Sequence, residues 1–404
     1  MMVRILFVLG LPIPRPDAAW TRIGFFARYL KKRGYNVSIL GAFSPEVLNL
    51  PSIKKWKDLR LFNLNPMFLT KNIPLRALNI FLSLFTLPML FILLRPRLVI
   101  ISVPPGELSL GAYFASRFIK AKVLFDIRDE WEDYIVNYMN KRNKRYAKLA
   151  MFLKSLMTRI YVKSDFVITV TEPMAKSLRR RGVRRVKLIP NGADIRIFKP
   201  YDKTVVRRRL GIAVSDFIMI FSGAVGEYYR LDLIVKALAM LKKDIQKKIK
   251  LLIVGRKTPE LLKMMAMAKL FGLNDNIIYL GVKHDKEKLA EILSAADLGL
   301  VPYDDNILWK NSIPAKFYEY CACKVPILAT AREDSVLAKL IVEHKIGLTV
   351  PPLAIEKLAE AIYQIYNDRN FRETASKRAR ALIEKKFDRN KIAEEFLNFL
   401  RILI

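Results

Sequence analysis

Residues 217–238 read FIMIFSGAVGEYYRLDLIVKAL, and their pattern indicates the fold class. The apolar run Phe217 to Ser222 predicts a buried strand, and the two glycines after it lead into a helical pattern that includes Asp232. A strand, a glycine turn and a helix in this order are typical of α/β domains with parallel sheets. Such a turn can bind a phosphate through its amides and the helix N-terminus, although an ordinary turn would also use glycine for its backbone angles.

The same alternation extends over the whole chain and predicts two doubly wound parallel-sheet domains. The pattern breaks at residues 196–201, the predicted linker, so the predicted domains are 1–196 and 197–388, followed by an amphipathic helix at 389–404 that packs across them. Two such sheets face to face predict a central ligand cleft. The predicted strands are 4–10, 36–40, 97–102, 122–126, 166–170 and 186–189, then 217–222, 250–254, 276–280, 298–301, 326–329 and 347–350.

Composition excludes several classes of protein. The chain has 404 residues, of which 52% are hydrophobic and 27% charged, so it is neither fibrous nor broadly disordered. Its two cysteines, Cys321 and Cys323, are too close in sequence for an ordinary structural disulfide. Its two histidines, His284 and His344, lie in no metal-ligand pattern, and we predict no metal site.

The charge balance predicts an anionic partner. The formal net charge is +34, with 35 Lys and Arg against 12 Asp and Glu in residues 1–196 (net +23) and 36 against 25 in the rest (net +11). Basic runs at 141–148 and 179–187 belong to the more basic half. A polyanion or an anionic membrane surface fits this excess.

Residues 79–94 form an uncharged apolar segment next to Arg76, Arg95 and Arg97. As a helix of about 1.5 Å per residue it would be about 24 Å long, which is too short to cross a bilayer of about 30 Å. It is equally compatible with a buried core helix and with a helix lying in the membrane interface. The basic surroundings favour the interface, and we predict a cytoplasmic protein held peripherally on the inner face of the cell membrane.

Three loops at predicted strand ends, the glycine turn included, carry candidate binding residues. Gly223, Gly226 and Arg230 follow one strand, and Gly255 and Arg256 follow the next. In isolation the first is weak evidence against an ordinary glycine turn, and the second is more typical of a solvated basic turn than of a binding site.

The third loop ends at Asn311 and leads into a helix with Lys316 and Glu319 on one face. This pair is either a surface salt bridge of little consequence or, at a cleft, a carboxylate for a ribose diol beside an ammonium for a diphosphate. The second arrangement fits a nucleotide sugar.

Several segments resemble the family-four retaining glycosyltransferases with the GT-B fold. They are IPNGAD at 189–194, the Gly-rich turn and Leu-Asp-Leu helix start within 221–238, and the KFYEY helix followed by VPI within 313–329. The segment FDIRDEW at 125–131 is similar to the subgroup that builds O-antigen, capsule and other surface polysaccharides. The resemblance covers nearly the whole chain and is more specific to the fold than to the donor or acceptor.

The resemblance implies roles for individual residues. The family's ribose-binding glutamate matches Glu319, whereas its partner glutamate falls at Asn311, a departure from the family pattern. The arginine and lysine that clamp the diphosphate would fall near Ala224 and Tyr229, so we expect Arg230, Arg256 and Lys316 to replace them.

The implied reaction is transfer of a sugar from a nucleoside diphosphate, UDP by default, to a hydroxyl of a lipid-linked or glycan acceptor. The resemblance implies retention at the anomeric carbon, no metal and no other cofactor, with front-face departure of the diphosphate. Asp129, oriented by Arg128, is the candidate to bind or deprotonate the acceptor, and a salt bridge closing that loop is the alternative.

Two other functions stay open. The charge suggests a nucleic-acid-binding protein, but no common recognition motif occurs and the basic runs lack interleaved aromatic residues, so we expect no specific nucleic-acid partner. A nucleotide-sugar epimerase of the same fold would differ in isomerising its donor without any acceptor.

Overall fold

The computed structural model describes residues 3–14, 17–43, 58–68, 73–140, 144–226 and 228–403. Part of the basic run at 141–148 therefore lies outside the described residues. The chain forms two compact units, one made of Met1–Pro190 with Ala393–Ile404 and the other of Asn191–Ile392. We call them unit 1 and unit 2.

Unit 1 contains a seven-stranded parallel sheet in the order β3-β2-β1-β4-β5-β6-β7. The chain winds outward from β1 in one direction and from β4 in the other, so the topological switch point lies between these two strands. The sheet's central strands are almost entirely buried. The strands are β1 (Arg4–Leu9), β2 (Asn36–Phe43), β3 (Arg60–Pro66), β4 (Leu98–Val103), β5 (Lys122–Ile127), β6 (Phe166–Thr169) and β7 (Val186–Leu188).

Helices connect these strands. The first begins at Ala18, where the Asp17 side chain accepts a hydrogen bond from the Trp20 amide as an N-cap. Gly34, at φ +89°, follows the helix in the left-handed conformation that the sequence predicts. The helices are α1 (Ala18–Lys32), α2 (Ile73–Leu94), α3 (Ser109–Phe118), α4 (Trp131–Asn140), α5 (Lys144–Lys163) and α6 (Glu172–Arg180).

Unit 2 contains a six-stranded parallel sheet in the order β10-β9-β8-β11-β12-β13, with its switch point between β8 and β11. The strands are β8 (Phe217–Ser222), β9 (Ile249–Val254), β10 (Ile277–Tyr279), β11 (Leu298–Pro302), β12 (Ile327–Thr330) and β13 (Gly347–Val350). The prediction of two doubly wound parallel-sheet domains is confirmed.

Two buried apolar clusters lie on the two faces of the sheet. The α-helices that begin in unit 2 cover these clusters, except for the last, most of which belongs to unit 1. They are α7 (Lys203–Arg209), α8 (Leu231–Met240), α9 (Lys243–Lys248), α10 (Pro259–Leu270), α11 (Lys286–Ser294), α12 (Ala315–Ala322), α13 (Val336–Glu343), α14 (Ile355–Asn367), α15 (Arg369–Leu382) and α16 (Arg389–Leu403).

The boundaries of the units differ from the predicted ones at both ends of unit 2. The chain divides after Pro190 and not at 196, because Ala193 pairs with Asp388 and Gly192 packs against the Phe387 carbonyl. Helix α16 exists as predicted, but its residues from Ala393 onward belong to unit 1. Unit 1 is therefore built from both ends of the sequence.

Helix α2 is longer than the sequence predicts. It begins at Ile73 and not at 79, so its 22 residues span about 33 Å, and the argument that it is too short to cross a bilayer is wrong. Within the described residues, Leu75–Leu94 is one helix whose length and composition would allow a membrane crossing.

Candidate functional site

The switch point of unit 2 gathers most of the predicted donor-binding residues. Strands β8 and β11 are neighbours, and the loops that follow them carry residues 223–230 and 303–312. Helix α12 begins directly after the second loop. Open parallel sheets bind their ligands at this position.

The glycine turn after β8 allows the backbone strands to approach closely. Gly223 has φ +126°, and a Cβ at Gly255 would lie 1.9 Å from the Gly223 carbonyl oxygen. The Gly223 amide donates to the Val254 carbonyl and the Gly255 amide to the Gly281 carbonyl. These two amides are therefore already used, and the two glycines provide close packing while any phosphate must find other donors. Gly226 faces open space.

Lys316 is the most unusual residue of the site. It is 5% exposed, and its Nζ has no hydrogen-bond partner among the described residues. The ammonium lies 3.5 Å from the centres of both the Phe221 and Tyr229 rings, and a Cβ at Gly223 would lie 3.3 Å from it. Burial lowers the pKa of Lys316 well below its usual range, and Glu319 opposes this only in part. A buried cation without a carboxylate against it is prepared to receive an anion.

An aromatic stack supports this lysine, and sequence reasoning missed it. The rings of Tyr303 and Trp309 stack with centroids 4.5 Å apart, and Tyr229 stacks on Tyr303 at 5.4 Å. Phe221 meets Tyr229 edge to face. The Trp309 indole donates to Asp304. The only sequence signal was the presence of aromatic residues in both switch-point loops, far apart along the chain.

Glu319 lies one helical turn after Lys316 on α12 and is 6% exposed. Its Oε1 is 3.5 Å from Nζ of Lys286, which is at the start of α11. The alternative of a Lys316–Glu319 surface salt bridge is therefore wrong, because Glu319 forms its ion pair with a different lysine. Asn311 is half-buried at the end of a short 3₁₀ helix, Ile307–Lys310.

The other predicted cations are differently placed. Arg230 forms a bidentate ion pair with Asp232, at 2.8 and 2.7 Å, which raises the pKa of the guanidinium. Arg256 is exposed after β9. Arg230 also lines a cavity of about 450 Å³ together with Val225, Gly226, Tyr229, Leu231, Asp232, Glu260, Lys263, Met264 and Met267.

In unit 1 the predicted acceptor residues follow β5. Arg128 is buried. Its Nε donates to the Ser102 hydroxyl at 3.1 Å, and its Nη2 donates to the Pro104 carbonyl. Burial lowers its pKa, and the charges of Asp126 and Asp129 oppose the shift. Asp129 is half-buried in the same loop. Arg128 thus connects the loop after β5 with the end of β4 and the loop that follows it.

A buried ion pair that the sequence did not reveal lies beneath this loop. Nε of Arg22 on α1 is 3.0 Å from the Asp126 carboxylate, and the two side chains are almost fully buried. The same guanidinium donates to the carbonyls of Ile189 and Pro190 at 2.9 Å. It therefore connects α1, β5 and the start of the IPNGAD segment.

In the described part of the chain, no three His, Cys, Asp or Glu side chains form a group that could hold a metal ion. Cys321 and Cys323 are both free and buried.

Two family models together match most of the chain. The model described as glycosyltransferase family 4 matches residues 20–196, and the one described as glycosyl transferases group 1 matches residues 202–382.

Among curated proteins, the D-inositol 3-phosphate glycosyltransferase of Geodermatophilus obscurus is 29% identical over 157 residues, which are 37% of this chain and 33% of that protein. The chain thus matches about a third of the length of this relative.

Solved structures show the same fold from end to end. Sucrose-phosphate synthase from Thermosynechococcus elongatus superimposes with a TM-score of 0.79 at 20% identity, covering 99% of each chain. Anabaena HepE, in complex with UDP and glucose, gives 0.72 at 16% identity, also over 99% of each chain. Both halves of the chain are thus matched by adjoining glycosyltransferase family models, and the chain shares the two-domain GT-B fold from end to end.

Proposed function

We propose that the protein transfers a sugar from a nucleoside diphosphate to a hydroxyl of a glycan or lipid-linked acceptor. The observation that carries this proposal is the buried Lys316 ammonium beside the glycine turn at the switch point of unit 2. It contacts Tyr229, which stands where the family has its diphosphate-binding lysine. A cation supplied from α12 thus reaches the place of the missing one, and a diphosphate is the anion it fits.

Glu319 is proposed to hold the donor ribose. A carboxylate can accept hydrogen bonds from both hydroxyls of a ribose diol, and α12 places this one a single turn from Lys316. Its partner Lys286 contacts Oε1 and leaves the second oxygen for the ligand. We propose UDP as the nucleotide, supported by the UDP bound to the structurally similar HepE.

Transfer is proposed to proceed with retention and without a metal. Charge develops on the departing diphosphate, and Lys316 in its apolar surroundings stabilises that charge more strongly than a solvated lysine would. Unit 1 is proposed to bind the acceptor, with Asp129 taking the hydroxyl proton and Arg128 positioning the loop. The relatives named above are a transferase and a synthase, so the epimerase alternative has no support among them.

The test is calorimetric titration of the whole protein with UDP, GDP and ADP at fixed moderate salt, using wild type, Glu319→Ala and a control, Glu360→Ala. Glu360 is exposed on α14, away from the site. We expect selective binding of UDP that Glu319→Ala weakens markedly and the control preserves. Equal, salt-sensitive binding of all three nucleotides, or unchanged binding in a folded Glu319→Ala protein, would contradict the donor site. Isomerised sugar after incubation with UDP-glucose alone would contradict transfer.

A further inference from the structure

Helix α2 has a buried face and an exposed face, and both are apolar over most of their length. Residues at intervals of four, Asn79, Ser83, Leu87 and Phe91, are completely buried. The opposite face is exposed, with Phe85 at 60% and Leu93 at 78%. The large exposed residues of this helix are Leu78, Phe81, Leu84, Phe85, Met89, Ile92 and Leu93.

Two helices of the same layer also carry exposed apolar side chains. Helices α2, α3 and α5 all contribute to one buried cluster on the same side of the sheet, and α3 packs against both of the others. Phe118 on α3 is 71% exposed and Phe152 on α5 is 63% exposed. We call the outer surface of α2, α3 and α5 the helix layer. Large apolar side chains exposed on three neighbouring helices are typical of an interaction site.

The charge of the helix layer is one-sided. Helices α2, α3 and α5 together contain 52 residues and no Asp or Glu. They carry eight cationic residues, which are Arg76, Arg117, Lys144, Arg145, Lys148, Lys154, Arg159 and Lys163. Exposed Arg95 and Arg97 follow α2 directly. Three of these cations pair with carboxylates of adjoining segments, Arg76 with Glu107, Arg117 with Asp165 and Lys154 with Asp133. The remaining cationic excess beside an apolar surface matches acyl chains beneath anionic headgroups, because the two parts of a phospholipid satisfy both features at once.

The buried face of α2 decides how the helix can meet a bilayer. The Asn79 amide bonds to the backbone of Phe68 at 2.8 and 2.9 Å, and Thr86 donates to Asn65 at 2.6 Å. A Cβ at Gly111 on α3 would lie 2.4 Å from the Ser83 carbonyl oxygen, so the two helices touch through their backbones. Crossing the membrane would break these contacts and expose polar groups to lipid. Only the outer half of α2 is available, which requires the helix to lie in the membrane plane.

We propose that the helix layer of unit 1 docks on an anionic phospholipid bilayer with α2 lying in the interface. Phe81, Phe85 and Leu93 enter the headgroup region together with Phe118 and Phe152, and the cations around them contact lipid phosphates. This docking goes beyond sugar transfer and does not depend on the nucleotide site.

The experiment is flotation of the full chain with vesicles of phosphatidylcholine, with and without phosphatidylglycerol. It compares wild type, Phe81→Ser/Phe85→Ser and a matched control, Leu270→Ser/Phe271→Ser, which removes two exposed apolar side chains from unit 2. We expect the first pair to lower partitioning about 10- to 100-fold and the control to change it little, because each phenyl ring leaving the interface loses much of its transfer free energy. Wild type should bind vesicles with phosphatidylglycerol far more strongly than neutral ones.

Several outcomes would overturn the proposal. One is vesicle binding by the folded Phe81→Ser/Phe85→Ser protein equal to that of wild type. A second is equal binding of wild type to neutral and anionic vesicles. A third is that wild type does not bind vesicles but forms a dimer, whereas the double variant is a monomer. Resistance of bound protein to extraction at alkaline pH would show a spanning helix and contradict the in-plane arrangement. Circular dichroism and UDP titration of the double variant separate this result from the proposed function, since its donor site is untouched.

Discussion

The two units share a doubly wound fold, but the unusual feature of unit 1 is exposed on its surface and that of unit 2 is buried. Among the described residues, unit 1 exposes seven phenylalanines and unit 2 exposes one, Phe271. By sequence, unit 1 has 35 Lys and Arg against 13 Asp and Glu, and unit 2 has 36 against 24. Unit 2 instead buries its unpaired cation, Lys316. The same parallel-sheet framework thus carries an exposed apolar surface in one unit and a buried, unpaired lysine in the other.

The largest expected effect concerns how much an arginine–aspartate pair contributes to the free energy of unfolding in each unit. Asp126→Asn in unit 1 should lower the free energy of unfolding by about 3–5 kcal/mol, because it leaves the buried Arg22 guanidinium uncompensated. Asp232→Asn in unit 2 should cost less than about 1 kcal/mol, because its pair with Arg230 is about a third exposed. Urea denaturation followed by circular dichroism measures both. Equal costs would remove this difference between the units.

The next effect isolates the buried cation of unit 2. Lys316→Met should weaken UDP binding about 10- to 100-fold, since a charge-assisted contact contributes about 1.5–3 kcal/mol. The same change should maintain or raise the melting temperature, because it replaces an unpaired buried amine with an apolar chain. Lys339→Met, which removes an exposed lysine on α13, is the control and should leave UDP binding intact. A large loss of stability in Lys316→Met would show that the lysine serves packing rather than binding.

The smallest expected effect is the uptake of a proton when UDP binds. Because burial lowers the pKa of Lys316, the free protein holds this amine neutral above that lowered value, and a bound diphosphate restores its charge. UDP binding should therefore take up as much as one proton, and affinity should fall as the pH rises through this range. Stability of the free protein should show the opposite slope, rising with pH up to about 10.4, because the unfolded chain binds the extra proton. Calorimetry in buffers of different ionisation enthalpy measures the uptake, and Lys316→Met should abolish it.

Sequence periodicity predicted twelve of the thirteen strands to within a few residues, because buried parallel strands are continuous apolar runs. It missed β3, whose sequence RLFNLNP is partly polar and mostly not buried. It also could not assign the faces of α2, since nearly every residue there is apolar. Leu82, Phe85 and Phe91 look alike in sequence, yet Phe91 is completely buried and Phe85 is mostly exposed.

The candidate site, too, was predictable from the sequence only in part. Lys316, Glu319, Gly223 and Gly255 were predictable from their positions after strands, and the structure brings them to one switch point. The engagement of Arg230 by Asp232 and the aromatic stack around Lys316 were not predictable, because they depend on side-chain directions. Those directions are set by packing between loops about eighty residues apart.

The closure of unit 1 by α16 has a consequence for synthesis on the ribosome. Phe396 stacks on Phe26 with centroids 4.6 Å apart, and Phe399 meets Phe166 edge to face. These partners are translated before and after all of unit 2. Most of unit 1 therefore leaves the ribosome first, but its last helix is synthesised after unit 2. The apolar surfaces that α16 covers stay exposed while about two hundred intervening residues are translated, which favours misfolding or chaperone binding.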